Sequence, residues 1–328
     1  MRRVDTVEEL RREDALASSS LSACTVSVSF STLSDGDVEM TKPLVSLPGR
    51  EKIDKAKNCA EELLEKRARS RQMSGAQEVW NAITMLVTPA IGLYFIFSGM
   101  WVTQDRILQA KEHLLGGTDE FSILEPLFEG VGRCINSTYF PNLYAMPPLA
   151  TISIVVGYLM HSPCSVYYHL LCAFKLPPGK ERLNHWSRKL DQAMIYAMSY
   201  FTCYGTSGSL KFAVVSMIFS IDSIYRLFQP VYRPKSILVR MIVAFLLPVL
   251  PAIVYGYHEQ TRQYFIIFAI SGWMFTSYPL GGFSHGVFHL IAALSNPIQL
   301  GLSTMLSTSE EAIQIAANCA AMKELLGS

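Results

Sequence analysis

Long apolar runs between residues 80 and 305 constrain this chain more strongly than any other feature of its sequence. A helix needs about 20 apolar residues to cross a hydrocarbon core about 30 Å thick, and this region has room for several such helices. Only 17% of the 328 residues are charged while 50% are hydrophobic, whereas about 25% of the residues in soluble proteins are charged. These values argue against a soluble globular enzyme and predict an all-α membrane protein.

The apolar runs predict a bundle of seven transmembrane helices. The third and fourth runs are the weakest, because they are rich in Tyr, Ser and Thr and only residues 205–208 separate them. If both cross the membrane, their polar groups must face the interior of the bundle; a count of six spans remains the alternative. The predicted spans are residues 80–101, 147–172, 191–208, 210–228, 236–256, 263–280 and 283–305.

Polar tails flank the predicted membrane domain, which covers residues 76–306. Residues 1–75 predict a cytosolic tail whose first part is disordered, because its few large apolar side chains cannot offset the entropy of ordering. Residues 50–72 of this tail predict a juxtamembrane helix. Its acidic residues favour a solvated helix, and binding of anionic lipid through its basic residues is the alternative. Residues 307–328 predict an amphipathic helix, and residues 104–115 predict a short helix in the long first loop.

The distribution of Lys and Arg predicts the orientation of the bundle. The N-terminal tail, the 173–190 loop and the 229–235 region are basic, whereas the alternate connections are poorer in Lys and Arg. Because cytosolic loops carry the excess of positive charge, we expect the N-terminus in the cytosol and the C-terminus, after seven spans, outside. A glycosylation sequon at residues 136–138 lies in the first loop, which this orientation places outside. The chain is expected in an endomembrane or the plasma membrane.

Charge and cysteine usage exclude some other classes of partner and site. The formal net charge is +1, which gives no reason to expect nucleic acid as a partner. Seven cysteines are scattered along the chain without a CxxC pair. Neither a disulfide framework nor a thiolate zinc site is therefore predicted.

Ionisable side chains within the predicted spans are the candidates for function, because such groups are costly inside a bilayer. His285 and His289 are one turn apart on one helical face, about 6 Å from each other, and two imidazoles so spaced can bind one metal ion. His169 lies near the end of the second span, with Ser165 one turn before it, and Asp191 opens the third span. In the predicted orientation all five residues lie at the cytosolic ends of their spans.

The chemistry of these five residues has alternative interpretations. Three neutral imidazoles with an open fourth position are typical of a catalytic zinc site, in which Asp191 could orient or deprotonate a water and Ser165 could hydrogen-bond a developing oxyanion. An HxxxH pair is more often two hydrogen-bonded interior histidines, and an acid at a helix start is usually an N-cap or a favourable partner of the helix dipole. His161 could approach the site, although we interpret it as a packed interior histidine.

Three segments of the chain resemble the signatures of a known family. They are Ser165-Val-Tyr-Tyr-His169, Arg188-Lys-Leu-Asp191 followed by Ile195-Tyr196, and His285-Gly-Val-Phe-His289-Leu. In this order they resemble the progestin/adiponectin-receptor and hemolysin-III-like family, which belongs to a seven-helix superfamily with the pattern SxxxH…D…HxxxH that includes the alkaline ceramidases. Residues 78–84 (EVWNAIT) also resemble the family's ExxNxxTH entry, with Met85 where the family often has His.

The resemblance implies a Zn²⁺ ion held by His169, His285 and His289, with Asp191 and Ser165 around the water that the metal activates. Family members are lipid or hormone receptors, and some relatives cleave the amide bond of ceramides. The first expectation is therefore an intramembrane zinc-dependent hydrolase of a lipid amide or ester, with a ceramide-like or other acyl lipid as its substrate or ligand. The alternative is a receptor in which zinc is structural and no turnover occurs.

Two other classes of seven-helix protein are less compatible with the sequence. A retinal-binding protein needs a Schiff-base lysine in its final span, and residues 283–305 contain no Lys. A transporter or channel is expected to carry charged residues along a central path, and the predicted spans lack such a series.

Overall fold

The computed structural model describes residues 73–116, 133–135, 137–177, 182, 184–229 and 234–326. All regular structure in these ranges is helical, which confirms the all-α prediction for the described part of the chain. The predicted N-terminal tail up to residue 72 and the acceptor Asn136 of the sequon lie outside the described residues. The α-helices are α1 Gly75–Thr84, α2 Val87–Phe97, α3 Gln104–Gly116, α4 Leu149–Phe174, α5 Trp186–Ser207, α6 Leu210–Leu227, α7 Pro234–Leu246, α8 Leu250–Val254, α9 His258–Ser277, α10 Ser284–Ala293, α11 Ser295–Thr304 and α12 Glu310–Leu326.

Among the described residues, three helical segments are long and apolar enough to cross a membrane. They are Gly75–Phe97, Leu149–Phe174 and Ser236–Val254, with 23, 26 and 19 residues. The first comprises α1 and α2, the second is α4, and the third comprises most of α7 together with α8. These segments support the assignment to membrane proteins.

Helices also occupy the other four predicted ranges, but they lack the combined length and apolarity of a typical span. The first turns of α5 and α9 are polar, and α6 carries Lys211, Asp222 and Arg226 within 18 residues. The last range divides at Leu294 into α10 and α11, each of 10 residues. The count of seven spans therefore stays a prediction.

The polar residues of α5 and α6 face neighbouring helices, as expected for the third and fourth runs. The Ser199 hydroxyl donates to the Ala244 carbonyl oxygen at 2.7 Å, and Thr206 donates to the Pro248 carbonyl at the same distance. On α6, Ser220 donates to the backbone carbonyl of α5 at 2.8 Å. These hydroxyls are buried and pay little for desolvation because each has a backbone acceptor.

Close packing of four helices positions the predicted site residues. α4 packs along α5 and against α1, and α10 packs against α1 and α9. A Cβ atom at Gly205 in α5 would lie 2.7 Å from the Ala150 carbonyl oxygen of α4. A Cβ atom at Gly286 in α10 would lie 3.0 Å from the Asn81 side-chain oxygen and would overlap the Trp80 indole. Glycine at these two positions lets the helix pairs approach closely.

A separate apolar core lies beyond the N-terminal end of α4. It consists of one face of α3 and one face of α12 together with Trp101, Ala145 and Cys134, and we call this region the cap. Both predicted short helices are confirmed, since α3 begins at Gln104 and α12 covers most of the C-terminal tail.

One disulfide bond in the cap corrects the cysteine prediction. Cys134 and Cys319 are bonded, with their Cα atoms 5.7 Å apart and their positions 185 apart in sequence. No spacing motif predicts this pair. The two cysteines come from the first loop and from α12, and they meet only when these segments pack.

Candidate metal centre

The three predicted metal ligands converge on one point. His169 comes from the last turns of α4, and His285 and His289 come from the first two turns of α10. Each offers one ring nitrogen, and these atoms all lie within 4.8 Å of one another. The ring centroids of His169 lie 5.3 and 5.8 Å from those of His285 and His289, which are 4.5 Å apart. One metal ion can therefore be held by this His₃ group.

Buried ring nitrogens without partners favour a metal ion over hydrogen-bonded histidines. Nδ1 of His285 and Nε2 of His289 are buried, and neither has a hydrogen-bond partner among the described residues. A buried polar atom left unpaired costs about 1–3 kcal/mol, and a bound ion or water is a usual partner for such an atom. Imidazole nitrogen is a good ligand for zinc. The residues therefore fit the metal that the resemblance implies.

A carboxylate fixes the third imidazole. Nδ1 of His169 lies 2.7 Å from Oε2 of Glu78, and both side chains are buried. Glu78 belongs to α1, whose start is fixed by a capping box in which Ser74 and Gln77 exchange hydrogen bonds. Because Nδ1 donates to the carboxylate, Nε2 of His169 is left with its lone pair for a metal.

The role of Glu78 was not predicted from the sequence. This residue entered the prediction only as part of the segment that resembles the family's entry motif. The available signal was an acidic residue at the edge of an apolar run, which is costly in a membrane and needs a partner. Its partner His169 is 91 residues away, so only the packing of α1 on α4 identifies the pair.

Asp191 and Ser165 also lie together. Asp191 is in the second turn of α5, and Ser165 on α4 lies close to its carboxylate. The carboxylate lies within electrostatic range of His169 and His285. The N-cap residue of α5 is His185, whose side chain accepts a hydrogen bond from the Ser187 amide. Asp191 is therefore not the N-cap of α5.

His161 is more than a packed interior histidine. Its Nε2 atom lies 3.3 Å from Oδ1 of Asp191, although the two groups are not aligned for a hydrogen bond. His161 is two turns before His169 on α4, so both rings lie on the side of α4 that faces the site. The prediction of a packing role for His161 is corrected, because its imidazole contacts the candidate catalytic acid.

Seven of the eleven buried side-chain polar atoms that lack a partner among the described residues lie on the four helices that carry the site. They lie on α1, α4, α5 and α10, and they are Trp80 Nε1, Asn81 Oδ1, His161 Nε2, Ser162 Oγ, Asp191 Oδ1, His285 Nδ1 and His289 Nε2. Native structures leave few such atoms without a partner. Their concentration on the four helices that meet here indicates a site for an ion and for further polar ligand atoms.

No protein-family model, curated protein or solved structure matches the chain. The family membership that the three segments suggest therefore stays a prediction, and the function is inferred from the geometry of the site.

Proposed function

We propose that the chain is a seven-span membrane protein that binds Zn²⁺ through His169, His285 and His289 and hydrolyses an amide or ester bond of an acyl lipid. The observation that carries this proposal is the convergence of three imidazoles from α4 and α10, with Asp191 and Ser165 beside them. Three protein ligands leave a fourth position open, as in catalytic rather than structural zinc sites.

The cap supports the orientation that this proposal needs. Its disulfide bond requires an oxidising compartment such as the lumen or the extracellular space. The histidine site lies at the other end of α4 from the cap, which supports a position of the site near the cytosolic side of the membrane. The basic 173–190 loop follows the same end of α4 and is cytosolic by the rule of positive charge.

Zinc, when bound, supplies a Lewis acid that polarises the substrate carbonyl and makes a water nucleophilic near neutral pH. Asp191 accepts the proton of the attacking water as the water oxygen adds to the carbonyl carbon. The Ser165 hydroxyl hydrogen-bonds the developing oxyanion. Asp191 then returns the proton to the leaving nitrogen or oxygen as its bond to the carbonyl carbon breaks, which releases a fatty acid and an amine or alcohol.

The surroundings of the site suit a lipid. His169 is only 2% exposed, whereas His285 and His289 are partly exposed, so the site opens on the side of α10. Large apolar side chains near the same ends of the helices are exposed, including Phe174 and Phe283. An acyl chain can lie against these side chains within the bilayer while its carbonyl group reaches the histidines.

Metal analysis of the purified protein tests the proposal first. We expect about one zinc per chain in the wild type, loss of zinc in His285→Ala, and retention in the control His258→Ala, since His258 begins α9 and lies outside the site. Mass spectrometry of a lipid panel should detect a released fatty acid with wild type and with His258→Ala, and none with His285→Ala. A wild type without zinc, or His285→Ala with full zinc content, contradicts the proposal.

A receptor with structural zinc is the second candidate. The observation that favours it is that the three histidines would tie α4 to α10, two helices that lie more than 100 residues apart in sequence. In that case the Asp191→Asn variant would keep its metal and its ligand response. Loss of fatty-acid release in Asp191→Asn, with zinc retained, favours the hydrolase.

A further inference from the structure

Glu78 is a buried carboxylate whose two oxygens are both engaged. The residue is 1% exposed, Oε2 lies 2.7 Å from Nδ1 of His169, and Oε1 accepts a hydrogen bond from Arg182 at 2.7 Å. A buried carboxylate is costly unless it is paired and hydrogen-bonded. The guanidinium of Arg182 supplies the compensating charge at Oε1, and the imidazole of His169 donates to Oε2.

Arg182 also binds the end of the helix that carries His169. Its Nη2 atom donates to the carbonyl oxygens of Cys172 and Leu176 at 2.9 and 2.8 Å. These carbonyls lie at and just beyond the C-terminal end of α4, where a positive charge is favourable. Arg182 therefore connects the segment between α4 and α5 to both Glu78 and the last turn of α4.

These contacts close a ring of interactions around one metal ligand. His169 is three residues before Cys172 on α4, and Glu78 on α1 links His169 to Arg182, which returns to Cys172. The ring holds Nδ1 of His169 against the carboxylate, which leaves Nε2 as the nitrogen that can bind a metal together with His285 and His289. Partners of this kind fix the tautomer and the ring orientation of a ligating histidine.

We infer that Glu78 is the positioning residue for His169, and that Arg182 neutralises Glu78 so that the carboxylate stays buried against the imidazole. This inference rests on the proposed metal centre and goes beyond it. According to this inference, Glu78 and Arg182 determine metal affinity although neither contacts the ion. Arg182 also links the segment before α5 to the site.

Zinc affinity, measured by competition with a chelator on the full chain in detergent, tests the inference. We expect Glu78→Ala to bind zinc about 10- to 100-fold more weakly than wild type, as for other partners of metal-binding histidines. Glu78→Gln should lose less, since its amide oxygen still accepts from Nδ1 but is a weaker acceptor than a carboxylate. Asp222→Asn is the control, because it breaks exposed ion pairs with Arg226 and Arg240, and it should bind zinc like wild type.

A double variant separates positioning from a structural ion pair. Glu78→Ala leaves Arg182 buried without its partner, which lowers the unfolding temperature of the metal-free protein. Adding Arg182→Met removes that charge while keeping much of the apolar stem, so the metal-free double variant should unfold at a higher temperature than Glu78→Ala. Its zinc affinity should stay about 10- to 100-fold weak, because His169 still lacks its acceptor.

The outcomes distinguish this inference from the proposed function. Recovery of wild-type zinc affinity in the double variant, or wild-type affinity in Glu78→Ala, overturns the positioning role while leaving the metal centre intact. If Glu78→Ala fails to fold, the Glu78→Gln variant decides instead. Wild-type zinc affinity in Glu78→Gln would also overturn the positioning role. Absence of zinc binding in the wild type itself contradicts the metal centre.

Discussion

The cap and the candidate metal centre lie beyond opposite ends of α4, and they differ in what they bury. The cap buries apolar groups: Trp101 and the alanines of one α12 face are almost fully inaccessible, and a disulfide bond closes the region. Its charged residues pair at the surface, as in Arg106 with Glu310. The centre instead buries a carboxylate, several imidazoles and unpaired polar atoms.

This difference separates stability from function within one chain. Burial of apolar surface stabilises a fold by about 25 cal/mol per Å², whereas each unpaired buried polar atom costs about 1–3 kcal/mol. Natural proteins depart from good packing and polar satisfaction mainly where function requires it. We therefore expect substitutions in the cap to change stability, and substitutions at the centre to change metal binding and turnover.

Asp191→Asn should have the largest effect of the substitutions considered. General acid–base catalysis contributes about 10²–10⁴-fold to rate, so fatty-acid release should fall by that factor. Zinc content should not change, because the carboxylate is not one of the His₃ ligands. The measurement is lipid hydrolysis followed by mass spectrometry, with elemental analysis of the same sample. A variant with wild-type turnover would remove Asp191 from the mechanism.

Cys319→Ser should have the largest effect in the cap. Loss of a native disulfide typically costs about 2–4 kcal/mol, which a lower unfolding temperature of the purified protein would report. Cys203→Ser is the control, since Cys203 is a buried free cysteine. Zinc content should stay at the wild-type level. Loss of zinc in Cys319→Ser would show that the cap and the centre are not independent.

Ser162→Ala should act in the opposite direction. The Ser162 hydroxyl is 2% exposed and lacks a partner among the described residues, so its removal relieves a desolvation cost of about 1 kcal/mol or more. We expect an unchanged or higher unfolding temperature for the metal-free protein. A clear decrease would mean that an ordered water satisfies this hydroxyl.

Arg106→Ala should have the smallest effect. Its ion pair with Glu310 joins α3 to α12, but both side chains are exposed, and exposed pairs contribute about 0–1 kcal/mol. The unfolding temperature should therefore stay close to that of the wild type. A loss as large as that of Cys319→Ser would contradict the view that apolar burial and the disulfide hold the cap together.

Features with a local physical cause could be predicted from the order of residues. The spacing of His285 and His289 follows from the helical repeat, which puts residues four apart on one face. The same repeat places Ser165 one turn from His169. The helices α3 and α12 and the inward-facing hydroxyls of α5 were also predictable, since side-chain periodicity and the cost of exposing polar groups to lipid operate along short segments.

Pairings between remote segments were decided only by tertiary packing. Glu78 beside His169, His161 beside Asp191, and Cys134 bonded to Cys319 join residues 30 to 185 positions apart, and no local pattern specifies such partners. The residue types indicated that a metal and an acid belonged near the inner ends of the helices. The approach of α1 and α10 to α4 decides which histidine nitrogen is free for the metal and which carboxylate orients that histidine. Glycine lets helix backbones come close in this region.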